Sequence, residues 1–127
     1  MKVVLLVFAF VFSLQCTPRT FAQELGDFGV GHAQWHEWYE TAENGGPLMR
    51  PTNPNIRCCG SDCRPTKAKF ENGRWLVWVD RGWEPVPNES IKQNISTPNG
   101  QAHVCSSLRS EWSRPTIFCF VLPESGS

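Results

Sequence analysis

The sequence predicts an α+β fold that is mainly β: a small, barrel-like antiparallel sheet of about five strands with one N-terminal amphipathic helix. Two observations predict this architecture. Apolar residues alternate at the strand period on both sides of Asn72-Gly73, which is a strong two-residue hairpin signal. Upstream of that region, Trp35, Trp38, Tyr39 and Ala42 recur at the helical period and form one apolar stripe.

The first 22 residues have the three parts of a cleavable signal peptide. A lysine precedes the apolar run 3–14, and small residues in Thr20-Phe21-Ala22 stand before the expected cleavage at Gln23. The run is too short for the roughly 20 apolar residues of a membrane-spanning helix. We therefore expect residues 23–127 to form a single disulfide-stabilised β-rich domain, periplasmic or secreted, with no membrane span after cleavage.

The charge balance excludes two classes of partner. The chain has 12 basic and 12 acidic residues, and Lys2 and Arg19 would leave with the signal peptide. The remainder has no basic run, so we expect neither nucleic acid nor an anionic membrane surface as a partner. A periplasmic protein or a cell-wall component is the partner class that fits an exported domain.

The helix is predicted over residues 32–44, because Gly45-Gly46 and Pro47 stop it. The proline-rich residues 47–55 predict an extended connector, and residues 57–65 predict a turn-rich loop. After this loop the pattern changes to that of strands, with a second tight turn at residues 80–82. The five predicted strands are 66–71, 74–80, 83–86, 101–106 and 115–122.

Three of these strands carry further information. Strands 74–80 and 115–122 are apolar at both odd and even positions, which predicts burial of both faces. Pro85 and Pro87 predict that strand 83–86 lies at a sheet edge or ends quickly, because proline cannot donate to a ladder.

Five cysteines follow the signal peptide, and an exported chain is expected to oxidise them in pairs. An odd number leaves at least one thiol over. Cys105 and Cys119 lie in consecutive strands, which favours a bridge between them if the strands pair in register. The preferred second bridge joins Cys63 to Cys58 or Cys59. The alternative pattern ties the 58–63 loop to the final strands instead.

A metal site is one specific functional alternative. His32 and His36 stand on adjacent turns of the predicted helix, a geometry that one ion can bridge. Cys59 and Cys63 would complete a tetrahedral set for zinc or copper. The alternative is an ordinary solvated helix face that also carries Glu40; this interpretation is favoured by sequence alone, so no cofactor is expected.

Other chemistry has weaker support. Arg57 and Arg64 flank the cysteine loop and would favour a thiolate, which makes thiol redox exchange an alternative. The loop lacks the Cys-x-x-Cys spacing, and no Gly-x-Ser-x-Gly occurs, so no catalytic residue is predicted.

Six tryptophans are most simply explained by core packing; if some project outward, Trp83 and Trp112 are the candidates for a binding surface.

A set of short motifs gives the chain a recognisable pattern. The motifs are Cys58-Cys-Gly-Ser-Asp-Cys-Arg-Pro-Thr66, His36-Glu-Trp-Tyr39, Trp75-Leu-Val-Trp-Val-Asp80, Trp83-Glu-Pro-Val-Pro87, His103-Val-Cys105 and Phe118-Cys-Phe-Val-Leu-Pro123. In this combination the chain resembles a family of short, exported, uncharacterised Cys/Trp-containing proteins of Gram-negative bacteria. The resemblance implies an exported bacterial protein and assigns no role to any residue. The function expected from sequence is a non-enzymatic structural or binding module, with metal binding and thiol redox chemistry as alternatives.

Overall fold

A computed structural model describes residues 31–59 and 62–125. The predicted signal peptide and its cleavage site lie outside these residues. Within them the fold is mainly β with one α-helix, which confirms the predicted fold class. Over the same ranges, no helix has the length and apolar character needed to cross a bilayer.

The elements in chain order are α1 His32–Thr41, β1 Met49–Arg50, β2 Asn53–Arg57, β3 Asp62–Thr66, β4 Ala68–Glu71, β5 Arg74–Val79, β6 Gly82–Pro85, a 3-10 turn Asn88–Ser90, β7 Ile91–Lys92, β8 Ala102–Ser106 and β9 Ile117–Val121. The strands of the described region are divided among three sheets, none of which closes into a barrel. β1 and β2 form a two-stranded ribbon. A four-stranded sheet has the order β3-β8-β9-β7, in which only the β7–β9 pair is parallel, and a three-stranded meander has the order β4-β5-β6.

The start of α1 depends on a glycine. Gly31 precedes the helix with φ 84°, in the left-handed region that glycine adopts without strain. A Cβ at this position would lie 3.2 Å from Cδ of Pro65, so glycine also allows the helix start to approach β3 closely. This approach positions His32, the first residue of the helix, against the four-stranded sheet.

The predicted stripe of α1 packs inward as expected. Tyr39 is fully buried, and Trp35, Trp38 and Ala42 pack around the same core. The helix ends at Thr41, three residues before the predicted end, and Asn44 and Gly45 then take left-handed φ values of 54° and 78°. Gly45-Gly46 and Pro47 therefore mark the end of the helix to within a few residues, because the turn that follows the helix begins before them.

Both predicted hairpin turns are present. Asn72 and Gly73 have φ values of 53° and 76°, and Asp80 and Arg81 have φ values of 44° and 68°. Two consecutive positive φ values suit the right-handed twist of the flanking strands. The turns generate the β4-β5-β6 meander, in which β6 lies at the edge predicted for it.

The two strands predicted to be covered on both faces differ. β9 is covered on both, because Cys119, Phe120 and Val121 are all buried. In β5 the Val77 and Val79 face is buried, but Trp78 on the opposite face is 39% exposed. The prediction for β5 was therefore wrong: on this face Trp78 contacts Trp83 of the same meander and remains partly exposed.

Two regions predicted as irregular form strands. β1 and β2 occupy the proline-rich segment, and β3 occupies the second half of the predicted cysteine loop. β3 pairs antiparallel with β8, about 40 residues further along the chain. A pairing of such separation leaves no local hairpin signal in the sequence.

The interior has two apolar clusters. The first lies between α1 and the four-stranded sheet and contains the four bonded cysteines with Tyr39, Leu48 and Val121. The second lies between the four-stranded sheet and the meander and consists of Val77, Val79, Val86, Ala102, Val104, Ile117 and Phe120. The first cluster supports the candidate site.

Candidate metal centre

Three cysteines form a row across the four-stranded sheet. Cys63 on β3 is the register partner of Cys105 on β8, which is in turn the register partner of Cys119 on β9. Register partners project from the same face of a sheet. The row therefore faces α1, and each of its sulfurs lies in the first apolar cluster.

The disulfides join Cys58 to Cys119 and Cys63 to Cys105. The preferred pattern, with a Cys105–Cys119 bridge and a local bridge inside the loop, was wrong. The alternative that ties the 58–63 loop to the final strands is the one present. Cys105 and Cys119 are in register as expected, but β3, which the sequence did not predict, offers Cys105 a second in-register cysteine.

Cys59 is the one described cysteine outside a disulfide. It stands between two anchored residues, since Cys58 and Cys63 are each bonded to the sheet. Its Sγ lies 3.8 Å from Nε2 of His32 and 3.9 Å from Nδ1 of His36. The two imidazole nitrogens are 2.9 Å apart. Three ligand atoms from α1 and the loop after β2 therefore converge on one point.

The orientation of His32 is fixed from both sides. Its ring is 1% exposed and stacks on Tyr39, with the centroids 5.2 Å apart. Its Nδ1 lies 2.7 Å from the carbonyl oxygen of Cys63, which can only accept, so Nδ1 carries the proton and donates. In the neutral ring Nε2 then has a lone pair, and it faces His36 and Cys59.

Of the four predicted ligands, the structure brings three together. His32, His36 and Cys59 form the cluster, whereas the sulfur of Cys63 is bonded to Cys105 and is no longer a thiolate donor. Cys63 instead contributes its carbonyl oxygen, which orients His32. The interpretation of a solvated helix face holds for the exposed His36 but not for the buried His32.

Glu40 is the charged neighbour of the thiol. Burial, the charge of the Glu40 carboxylate and a hydrogen bond to it raise the pKa of Cys59 to about 11, against a smaller opposing influence of Arg57. Nη1 of Arg57 lies 2.7 Å from the same carboxylate. Glu40 follows His36 by four residues, and this spacing is the sequence signal that marks it as a neighbour of the site.

A second polar group lies on the other side of Tyr39. The Tyr39 hydroxyl is 2.8 Å from Nδ1 of His103, and Nε2 of His103 is 2.9 Å from Oδ1 of Asn99. Burial raises the pKa of Tyr39 well above its ordinary value and lowers the pKa of His103 to about 4. His103 is 1% exposed, and no sequence pattern indicated this network.

The two tryptophans proposed as a binding surface lie on different elements. Trp83 on β6 is 38% exposed, contacts Trp78 edge-on and has Nζ of Lys69 4.7 Å from its ring. Trp112 is 92% exposed in the segment between β8 and β9. Core packing explains Trp35, Trp38 and Trp75, which are partly buried against the two apolar clusters.

No protein-family model, curated protein or solved structure matches this chain.

Proposed function

We propose that this chain is an exported metal-binding protein that holds one Zn²⁺ or Cu⁺ ion between His32, His36 and Cys59. The observation that supports this proposal is the convergence of two imidazole nitrogens and one thiol sulfur within 4 Å of one another. Imidazole and thiolate are the ligands that these two ions share in proteins.

The contacts behind the ligands support metal binding as well. A histidine that ligates a metal usually donates its other N–H to a carbonyl or carboxylate, which fixes the tautomer and the ring orientation. His32 makes this bond to the Cys63 carbonyl, and its ring is held by Tyr39. The nitrogen it presents to the cluster is thus the one with the lone pair.

The spacing of the three atoms is close to that of a tetrahedral site. Bond lengths of about 2.0 Å to nitrogen and 2.3 Å to sulfur require separations of roughly 3.3 Å between nitrogens and 3.6 Å between nitrogen and sulfur. The observed separations are 2.9 Å for the nitrogens and 3.8 and 3.9 Å to sulfur. Small rotations of exposed His36 and half-buried Cys59 close these differences.

The same environment disfavours thiol exchange. A disulfide-exchanging cysteine needs a lowered pKa so that thiolate is present near neutral pH. The pKa of Cys59 is instead raised by burial and by Glu40. A bound ion removes the thiol proton by forming the metal–sulfur bond, and that proton leaves to solvent.

Export is proposed on two grounds. The N-terminal residues have the pattern of a signal peptide. The described residues contain two disulfides, which persist in oxidising compartments and are rare in the cytosol. The periplasm or the extracellular space is therefore the proposed location.

Metal binding is tested on the full chain with both disulfides formed and no chelator present. We expect one equivalent of Zn²⁺ or Cu⁺ to compete successfully with a chromogenic indicator. His36→Ala should lose this binding, while Glu37→Ala, which changes the neighbouring exposed residue, should keep it. Failure of the unaltered chain to bind either ion, or equal binding by His36→Ala, contradicts the proposal.

A further inference from the structure

Glu40 is the acidic residue of α1 that stands beside the cluster. It stands one helical turn after His36, and its carboxylate contacts Arg57, which precedes Cys59 by two residues. Side chains on a helix lean toward its N-terminus, so Glu40 leans toward His36. The carboxylate is outside the group of three mutually close ligand atoms, so ligation requires a rotation of its side chain.

The ion pair that now holds Glu40 is easily exchanged. Nη1 of Arg57 is 2.7 Å from the carboxylate, and the two side chains are 58% and 29% exposed. Exposed ion pairs contribute little to stability because water and salt screen them. Rotation of Glu40 away from Arg57 therefore meets little resistance, and the released guanidinium remains in water.

The charge of the bound ion decides whether this rotation is favourable. Two neutral imidazoles and one thiolate leave a net charge of +1 around a divalent ion and no net charge around a monovalent ion. Adding one carboxylate neutralises the divalent site but makes the monovalent site negative. An uncompensated charge at a partly buried site is unfavourable, and Zn²⁺ also requires four ligands.

We propose, on the basis of the metal-binding function above, that Glu40 changes partner with the charge of the ion. It leaves Arg57 and becomes the fourth ligand of a divalent ion, and it stays on Arg57 when the ion is Cu⁺. Glu40 is thus the residue that gives this site its preference between the two ions.

The test compares Zn²⁺ and Cu⁺ affinities of the full, disulfide-bonded chain and its Glu40→Gln variant. Ascorbate keeps copper monovalent without reducing the disulfides. The loss of a charged ligand should weaken Zn²⁺ binding at least about tenfold and leave Cu⁺ binding at the level of a Glu37→Gln control. Arg57→Gln should strengthen Zn²⁺ binding, because the competing cation is removed.

Co²⁺ provides a readout of ligation itself. In Glu40→Gln the thiolate-to-cobalt absorption should persist, since Cys59 remains bound, while the ligand-field bands should change. Equal losses for both ions, no loss for either, or unchanged cobalt bands would overturn the role of Glu40 while metal binding by the unaltered chain still stood. Absence of all metal binding by the unaltered chain would overturn both proposals.

Discussion

Tyr39 separates two histidine-containing groups whose chemistry differs. On one side, both nitrogens of His103 are hydrogen-bonded within the protein, to the hydroxyl of buried Tyr39 and to the side chain of exposed Asn99. On the other side, the ligand atoms of His32, His36 and Cys59 are turned toward one another, and the group reaches the surface at His36.

The comparison shows how similar residues come to serve different ends. A buried polar group whose partners are fixed by the protein specifies the fold and stabilises it. A group of donors that converge from two elements, with one member accessible, has the arrangement that an ion can enter. We therefore assign the His103 network to stability and the Cys59 cluster to binding, and different variants test the two assignments separately.

The largest expected effect is on metal affinity. Cys59→Ala removes the thiolate ligand of the cluster, so its cost should exceed the 10–100-fold loss typical of outer contacts, and we expect about a thousandfold. His103→Gln should leave the affinity unchanged, since it does not touch the ligand atoms. Competition titrations with Zn²⁺ measure both, and equal losses in the two variants would contradict the separation.

The next effect is on stability in acid. Burial lowers the pKa of His103 to about 4, against an ordinary value of 6.5. The protonated ring is therefore disfavoured in the folded state, and the stabilisation is fully present above pH 6.5 and is lost as the pH falls toward 4. The shift corresponds to about 3 kcal/mol.

This loss is measured as the free energy of unfolding of the metal-free chain at several pH values. His103→Gln cannot titrate and should lack the decline across that interval. The same decline in this variant would show that other groups cause it.

A comparable effect concerns the reactivity of Cys59. Because its pKa is raised to about 11, its thiolate fraction near neutral pH should be about a hundredfold below that of an ordinary thiol. Alkylation by iodoacetamide should be slow at pH 7 and should accelerate about tenfold per pH unit up to pH 10. Rapid alkylation at neutral pH, in folded protein with intact disulfides, would contradict the raised pKa and support thiol exchange.

The smallest expected effect is on the free energy of unfolding of a Tyr39 variant, which tests whether the two groups are independent. Tyr39→Phe removes the hydroxyl bound to Nδ1 of His103 but keeps the ring that stacks on His32. A buried acceptor without a partner should cost about 1–2 kcal/mol in the free energy of unfolding. Metal affinity should stay as it was; a parallel loss would mean that the hydroxyl network, not only the ring, positions the ligands.

The parts of the fold that sequence predicts are those with local causes. The Asn72-Gly73 turn needs positive φ at two successive residues, which asparagine and glycine adopt readily. The helix follows from the spacing of Trp35, Trp38 and Tyr39. β3 has no such signal, because its partner β8 lies far along the chain and its residues are those of a turn.

The same distinction governs the site. The proximity of His32 and His36 could be predicted because four residues make about one helical turn. Cys59 could be predicted as a further ligand because thiolate and imidazole bind the same metals. The prediction of Cys63 as the fourth ligand was wrong because β3 was not predicted. Cys63 on β3 lies opposite Cys105, and its sulfur forms a disulfide with that residue. The long-range pairing of strands, not residue chemistry, decides which cysteine keeps its thiol.

The two cross-links on either side of Cys59 set an order of assembly. Both tie the 58–63 loop to strands near the end of the chain, so the cluster cannot be complete until the last strand has been made and both pairs have oxidised. In reduced polypeptide every cysteine would compete for the ion and no defined centre would exist. On the metal-binding proposal, formation of the complete centre therefore depends on oxidation of the two cysteine pairs, and an ion held there would report that oxidative folding is finished.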